Sequence, residues 1–399
     1  MKKKTDILFL TTLNLAANPR LVKEVRLSIK LNFNVTVICF TFNNWSNDIN
    51  RKLLEEFQGI NIIQINGERS SFLPWFFSSA AEKLFRYLSI WVDLPLKILS
   101  LAVSRRSLLL LNTLDRVQSA SWVIGHNPGA LYPTIVASRK FNCKSGFDVE
   151  DYHPGEGNNP QLQKNTLNLM KKVFLGFSYV SFASDSIMDE CNKQIDLTTT
   201  RKLVINNAFS QSEFTVPEEI SDEKLRLVWF SQHIDKGRGL ESVISIVKKH
   251  GDKMKLTLFG NCNIMFREQY INGNDAIILG GVVKQSELHS MLAQYDIGLA
   301  AEDAISDMNR NICLTNKIWA YFQSGLFILA SDTIAQKRFL ENYSSHGICY
   351  DNVENLEAAL LKLYEDKLTV RNHKKPRYEN AQQMSWESES KKLQTNWTE

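Results

Sequence analysis

The chain has 399 residues, 44% of them hydrophobic and 23% charged, a balance that excludes a disordered or fibrous protein and suits two domains rather than one. Its six scattered cysteines form no Cys-x-x-Cys pair, so they read as reduced thiols of a cytoplasmic protein, neither disulfide staples nor zinc ligands; no apolar run approaches the ~18 residues of a membrane span. The net charge of +4 is unevenly spread: residues 1–205 carry 25 Lys/Arg against 17 Asp/Glu, and residues 206–399 carry 22 against 26, which favours an anionic partner or surface for the first half. Zinc-finger spacing, an RNP motif and a dense basic helix are all absent, so nucleic acid is not the expected partner.

From the N-terminus, a basic MKKK precedes Ile7–Thr11, an apolar run short enough to be a buried first strand rather than a signal peptide. Apolar residues three and four apart over Leu21–Leu31 predict a helix, and strands are expected at Val35–Phe40 and Ile60–Gln64. Residues 72–114, FLPWFFSSAAEKLFRYLSIWVDLPLKILSLAVSRRSLLLLNTL, break the alternation with many Phe, Trp and Leu among basic residues. Asp93, Pro95 and Lys97 prevent a bilayer span. The stretch reads as amphipathic helices packed on the domain, or as an interfacial surface touching anionic lipid or a lipid-linked substrate.

Trp122–Gly125 is the next expected strand, and His126 directly follows it, where both a structural and an active-site histidine are found. Asp148, Glu150, Asp151 and Glu156 then cluster with His153; spacing alone leaves a metal site, a carboxylate base and a solvated loop open. Strands at Ser178–Phe182 and Leu203–Asn206 complete a first set of about six. The polar NAFSQSEFTVPEEISDE of residues 207–223 is the expected linker.

A second set follows at Leu225–Phe230, Lys255–Phe259, Ala276–Leu279, Ile297–Ala300, Leu326–Ala330 and Gly347–Tyr350, with helices at Gly239–Lys249 and Ser286–Tyr295. Strand–helix alternation predicts an α/β protein of two facing doubly wound, Rossmann-like domains, with ligands at the carboxyl ends of the strands and the active cleft between the domains.

Two segments of the second half suit a phosphate. In WFSQHIDKGRGLE, Lys236 and Arg238 flank Gly237 between a strand and a helix, where backbone can approach a ligand and a guanidinium can bind phosphate in bidentate fashion. In LTNKIWAYFQSG, Thr315 or Asn316 caps a helix running through Lys317 to Gly325, and free amides at a helix start favour an anion. Neither GxxxxGK[ST] nor GxGxxG occurs, which excludes a P-loop ATPase and a typical dinucleotide-binding dehydrogenase; no Asp-x-Asp occurs either.

Taken in order, LNLAANPRLVKEVRLSIKLNFNVTVI, HNPGALYP with FDVEDYHPGE, SQHIDKGRGLE, LTNKIWAYFQSGLFILASDT and the closing AQQMSWESESKKL resemble family four glycosyltransferases of the two-domain GT-B fold over nearly the whole chain. The resemblance implies an acceptor-side domain over residues 1–207, a donor domain over 208–375 and a closing helix over 376–399. It implies a retaining, metal-independent transfer from a nucleotide-diphosphate sugar to a saccharide, or lipid-linked saccharide, in cell-surface glycan synthesis. The sugar nucleotide is then a co-substrate, no cofactor is expected, and the protein works in the cytoplasm or against the inner face of the membrane. Arg238, Lys236 and His126 would be catalytic. Ser231, Gly237, Thr315, Asn316, Lys317 and Tyr321 would hold the donor. Asn18, Arg20, Asp148, Glu150 and Asp151 would meet the acceptor. The glutamate that many relatives place before the helix tyrosine is Ala320 here, and its partner acid eight residues earlier is Ile312. A sugar-nucleotide epimerase on the same fold and a non-catalytic nucleotide-binding subunit are the competing expectations.

Overall fold

The computed structural model describes residues 4–44, 46–68, 72–219, 221–302 and 307–399. The chain divides into two compact units, Met1–Ile205 with Ser390–Glu399, and Asn206–Glu389.

The first unit carries seven parallel strands: β1 (Asp6–Thr11), β2 (Asn34–Thr41), β3 (Asn61–Asn66), β4 (Trp122–His126), β5 (Lys144–Val149), β6 (Tyr179–Phe182) and β7 (Arg201–Val204). Their spatial order is β3-β2-β1-β4-β5-β6-β7, so the direction of winding reverses between β1 and β4. The connecting helices are α1 (Pro19–Lys30), α2 (Asn47–Glu56), α3 (Phe72–Leu88), α4 (Leu96–Val103), α5 (Arg106–Thr113), α6 (Leu131–Phe141), α7 (Pro160–Val173) and α8 (Asp185–Gln194).

The second unit repeats the plan with β8 (Leu225–Ile234), β9 (Met254–Cys262), β10 (Ile277–Gly281), β11 (Ile297–Ala300), β12 (Phe327–Ser331) and β13 (Gly347–Tyr350), in the order β10-β9-β8-β11-β12-β13. Here the reversal lies between β8 and β11. Its helices are α9 (Leu240–Lys249), α10 (Ile264–Phe266), α11 (Gln285–Leu292), α12 (Met308–Ile312), α13 (Asn316–Gln323), α14 (Ile334–Asn342), α15 (Val353–Glu365), α16 (Lys367–Asn372), α17 (Lys374–Ala381) and the first turn of α18 (Trp386–Thr398). Ligands of such sheets sit outside the carboxyl ends of the strands at the reversal point.

Strand β5 was not anticipated. KSGFDV offers neither an apolar run nor alternation, because it was selected by its neighbours: a Cβ on Gly146 would lie 2.2 Å from the ring of Tyr179 on β6. Residues 207–223 are more than a linker (Ile220 lies outside the described residues). Phe209 and Phe214 are buried against the His289 ring, at centroid distances of 4.3 and 4.9 Å, and Gln323 exchanges two hydrogen bonds with the backbone of Phe209. Within the 72–114 segment, α4 and α5 bury Leu99, Ala102, Val103 and Leu110, whereas α3 keeps Phe72, Leu73 and Phe77 exposed.

The last ten residues belong to the first unit. Trp397 of α18 meets Phe9 edge-on, its Nε1 donates to Tyr179 Oη at 3.0 Å, and its carbonyl accepts from Trp122 Nε1 at 3.2 Å.

Candidate functional site

In the second unit, three loops at the carboxyl end of the sheet converge. The first leaves β8 and reaches α9 through Lys236-Gly237-Arg238-Gly239. Gly237 and Gly239 adopt φ of +72° and +70°, the left-handed region that other residues enter at a cost. Gly239 must also be small: a Cβ there would come within 3.2 Å of Ala301, in the loop after β11. Next to Ala301, Glu302 pairs with Lys317 at 2.5 Å, and the ammonium of Lys317 lies 5.3 Å from the centroid of Trp229 on β8. The ion pair thus fastens the β11 loop to the first turn of α13, and Trp229 ties both to β8.

Within this frame the cations differ sharply. Lys317 is buried and committed to Glu302. Arg238 is partly exposed and makes no hydrogen bond or ion pair among the described residues. Lys236 is exposed, its ammonium 5.6 Å from the ring centroid of Tyr270. At the start of α13, Thr315 takes the N-cap position without capping anything with its side chain, and its buried Oγ1 lacks a partner. Asn316 is exposed and accepts from Asn207 Nδ2 at 2.9 Å. The first-turn amides of the helix have no intrahelical partners and carry partial positive charge. A guanidinium, an ammonium, first-turn amides and a hydroxyl are all groups that attract an anion.

Ser231 lies on the irregular outer part of β8, where the pairing with β9 shifts register between Phe230 and His233. Tyr321 is a correction to the expected donor contacts. It is fully buried, its ring lies against Gly298, and its hydroxyl donates to Val228 O at 3.4 Å, so it packs α13 onto the sheet instead of reaching a ligand. Ala320 and Ile312 are buried as well.

In the first unit, register brings a polar row together. Thr11 pairs with His126, His126 with Asp148, and Asp148 with Ser181, so His126, Asp148 and Ser181 line one face beneath α1. Arg20 and Glu24, four residues apart on α1, point onto that row. Arg20 donates from Nε and Nη2 to the two oxygens of Asp148 at 2.7 and 2.6 Å, and from Nη1 to Ile205 O at 2.9 Å. Ser181 Oγ donates to Asp148 at 2.7 Å. His126 sits between carboxylates, with Nε2 3.3 Å from Glu24 and Nδ1 3.6 Å from Asp148. Burial opposes the imidazolium, but Glu24 and Asp148 outweigh it and raise the His126 pKa. Against the same burial, Arg20 holds Asp148 below its ordinary value, whereas burial pushes Glu24 up.

These positions correct a second expectation. Asn18, Arg20, His126 and Asp148 are 0%, 3%, 1% and 1% exposed, and the polar atoms of the last three are turned on one another or on Glu24. Asn18 caps α1 by accepting from Leu21 N at 3.1 Å, and its Nδ2 donates to Thr11 Oγ1. They form a buried support under the loops. The groups nearer the surface are Glu150 and Asp151, which follow β5 directly and are each partly exposed. Burial, then the Asp151 carboxylate, push the Glu150 carboxyl up to about 7.

The sequence reading missed Glu24, Ser181 and Glu302. Glu24 carried a usable signal, standing four residues after Arg20 on the face of α1 that also bears Leu21, Val25 and Ser28. Glu302 carried none, since its partner Lys317 is fifteen positions away.

No family model matches the chain, and no curated protein matches its sequence. Solved structures do match its fold. HepE of Anabaena, solved with UDP, is 13% identical with a TM-score of 0.66, covering 99% of this chain and 100% of that one. A glycosyltransferase of Rickettsia africae is 12% identical with a TM-score of 0.64, covering 99% and 98%. Sucrose-phosphate synthase of Thermosynechococcus elongatus is 9% identical with a TM-score of 0.64, again covering 99% and 98%. At such identities the likeness is one of fold, and the fold is GT-B.

Proposed function

We propose that the chain is a glycosyltransferase that moves a sugar, with retention of configuration, from a nucleotide-diphosphate sugar to a saccharide acceptor. The observation that carries this reading is Arg238, without a partner among the described residues, standing with Lys236 on the Gly237–Gly239 turn of the same unit whose α13 offers first-turn amides and a Thr315 Oγ1 that is likewise unpartnered among those residues. Negative charge grows on the leaving diphosphate as the glycosidic bond breaks. Fixed cations and amides stabilise it without reorganising, which is the largest contribution such a site can make. Arg238 and Lys236 supply the positive charge, so the transfer needs no metal. Lys317, held by Glu302, fixes the geometry of the loop. HepE, which shares the fold, was solved with UDP and with UDP-glucose, and that supports a nucleotide diphosphate as the ligand class.

In the first unit, Glu150 and Asp151 contact acceptor hydroxyls, and the Arg20–Asp148–His126–Glu24 cluster positions the loop that carries them. The acceptor is a saccharide carried on lipid, in cell-surface glycan assembly at the cytoplasmic face of the membrane. A second reading, a nucleotide-binding subunit without turnover, is favoured by one observation: Ala320 and Ile312, where many relatives carry glutamates, are buried apolar residues.

Thermal unfolding of the purified protein against UDP, GDP, ADP, TDP and CMP tests the donor site, because a ligand that binds only the folded state stabilises it by RT ln(1 + [L]/Kd). A shift with one diphosphate, lost in Arg238→Ala, is the expected result. No shift with any of them overturns the reading. A shift with one diphosphate, but no sugar release from its sugar nucleotide with any acceptor, moves it to the second.

A further inference from the structure

Helix α3 is built inside out. Towards the rest of the first unit it turns a charged pair among the half-buried Trp75, Ala81 and Phe85: Arg86 pairs with Glu82 and donates from Nε to Ala102 O at 3.0 Å, while Glu82 Oε2 accepts from Arg105 N at 3.3 Å. Just beyond its end, Ser89 Oγ accepts from Gln161 Nε2 and Asn165 Nδ2 of α7 at 2.9 and 2.8 Å. The outward side is apolar. Leu73 is 64% exposed, Phe77 66%, Leu84 53%, Tyr87 61% and, in the turn that follows, Trp91 73%. A helix at a protein–water boundary shows the reverse arrangement, and a continuous exposed aromatic face marks a surface meant for something less polar than water.

The charge around that face says what covers it. Lys83 on α3, Lys97 on α4, and Lys164 and Lys171 on α7 are exposed and have no ion pair among the described residues, and α4 and α7 both pack on α3. The acids of the same neighbourhood are already neutralised, Glu82 by Arg86 and Asp93 by Lys172. The apolar stripe is therefore bordered by uncompensated cations. A second copy meeting this face about a two-fold axis would bring Lys83 towards its own symmetry mate. A bilayer with anionic headgroups satisfies stripe and border together. With 17 residues, α3 is about 25 Å long, and no helix among the described residues is long and apolar enough to cross a membrane.

We propose that α3 seats the protein on an anionic lipid bilayer, lying in the interface with its Leu73–Trp91 face among the acyl chains and its lysine border against the headgroups. This deepens the reading of a lipid-carried acceptor, yet it is independent of the donor site because vesicle binding requires no nucleotide.

The test is flotation of the full chain with vesicles of phosphatidylcholine alone, or with about one-third phosphatidylglycerol. Binding to the mixed vesicles that weakens with salt is expected. Phe77→Ser with Trp91→Ser should weaken it by about tenfold or more, and Lys83→Ala by roughly fivefold, with thermal midpoint and diphosphate-induced stabilisation retained in each. Absence of binding at low salt overturns the proposal. So does binding that survives Phe77→Ser with Trp91→Ser. Self-association without vesicle binding, abolished by those two substitutions, would assign the face to a second copy instead.

Discussion

Asp148 takes two donors of Arg20 at once, at 2.7 and 2.6 Å, and both side chains are all but sealed from solvent. Removing one partner of such a pair leaves the other charged and uncompensated, which typically costs about 3–5 kcal/mol. Asp148→Asn should lower the urea midpoint of the first unit accordingly, while diphosphate binding by the second is retained. A loss within ~0.5 kcal/mol, the scale of an exposed substitution, would show that the pair is not a support.

His126 and Asp148 titrate in opposite senses. His126 has a raised folded pKa, so its stabilisation is complete below the free value of ~6.5 and is lost as pH climbs through the folded value. Glu24, also raised, acts in the same direction from a lower starting point. Asp148 is depressed, so its contribution is present above ~3.9 and disappears on acidification through its folded value. Unfolding free energy should therefore decline along an alkaline limb above about pH 6.5, and His126→Gln should flatten that limb. An unaltered limb in the variant assigns it to other groups.

Arg238 has no hydrogen-bond or ion-pair partner to abandon among the described residues. Arg238→Ala should lower turnover by about 10²–10³, or 2.7–4 kcal/mol, with the thermal midpoint of the unliganded protein unchanged. Near-normal rates would remove it from the mechanism.

Gly239→Ala places a methyl against Ala301 in a left-handed turn. The conformation alone costs about 1–2 kcal/mol, and relief requires the turn that carries Arg238 to move. Diphosphate affinity should fall with stability; an affinity equal to wild type would show that the turn does not form the site.

Tyr321→Phe removes a single long hydrogen bond, the one to Val228 O. Diphosphate affinity should be unchanged and stability reduced by about 1 kcal/mol at most. A large loss of affinity would return Tyr321 to the ligand.

The legible parts of this protein were those written locally. Strand–helix alternation gave both sheets, and the glycines of the Lys236–Gly239 segment marked the left-handed turn that the structure has there. What escaped was decided across the sheet. KSGFDV is a strand because Tyr179 needs room above Gly146, and Asp148 faces inward because the β4–β5 register sets it beside His126. A motif names residue types but does not say whether an arginine is spent on a carboxylate, as Arg20 is, or left without a partner among the described residues, as Arg238 is.

The edge-on contact of Trp397 with Phe9 joins β1 to the last turn of α18. A ribosome delivers the residues between them in order, so the first unit emerges whole except for the piece that roofs Phe9, Trp122 and Tyr179. Until Trp397 has been added, that aromatic face is open to chaperones or to wrong partners. A chain that stops short of α18 carries the same defect and should be marked for degradation, although neither sheet has lost a strand.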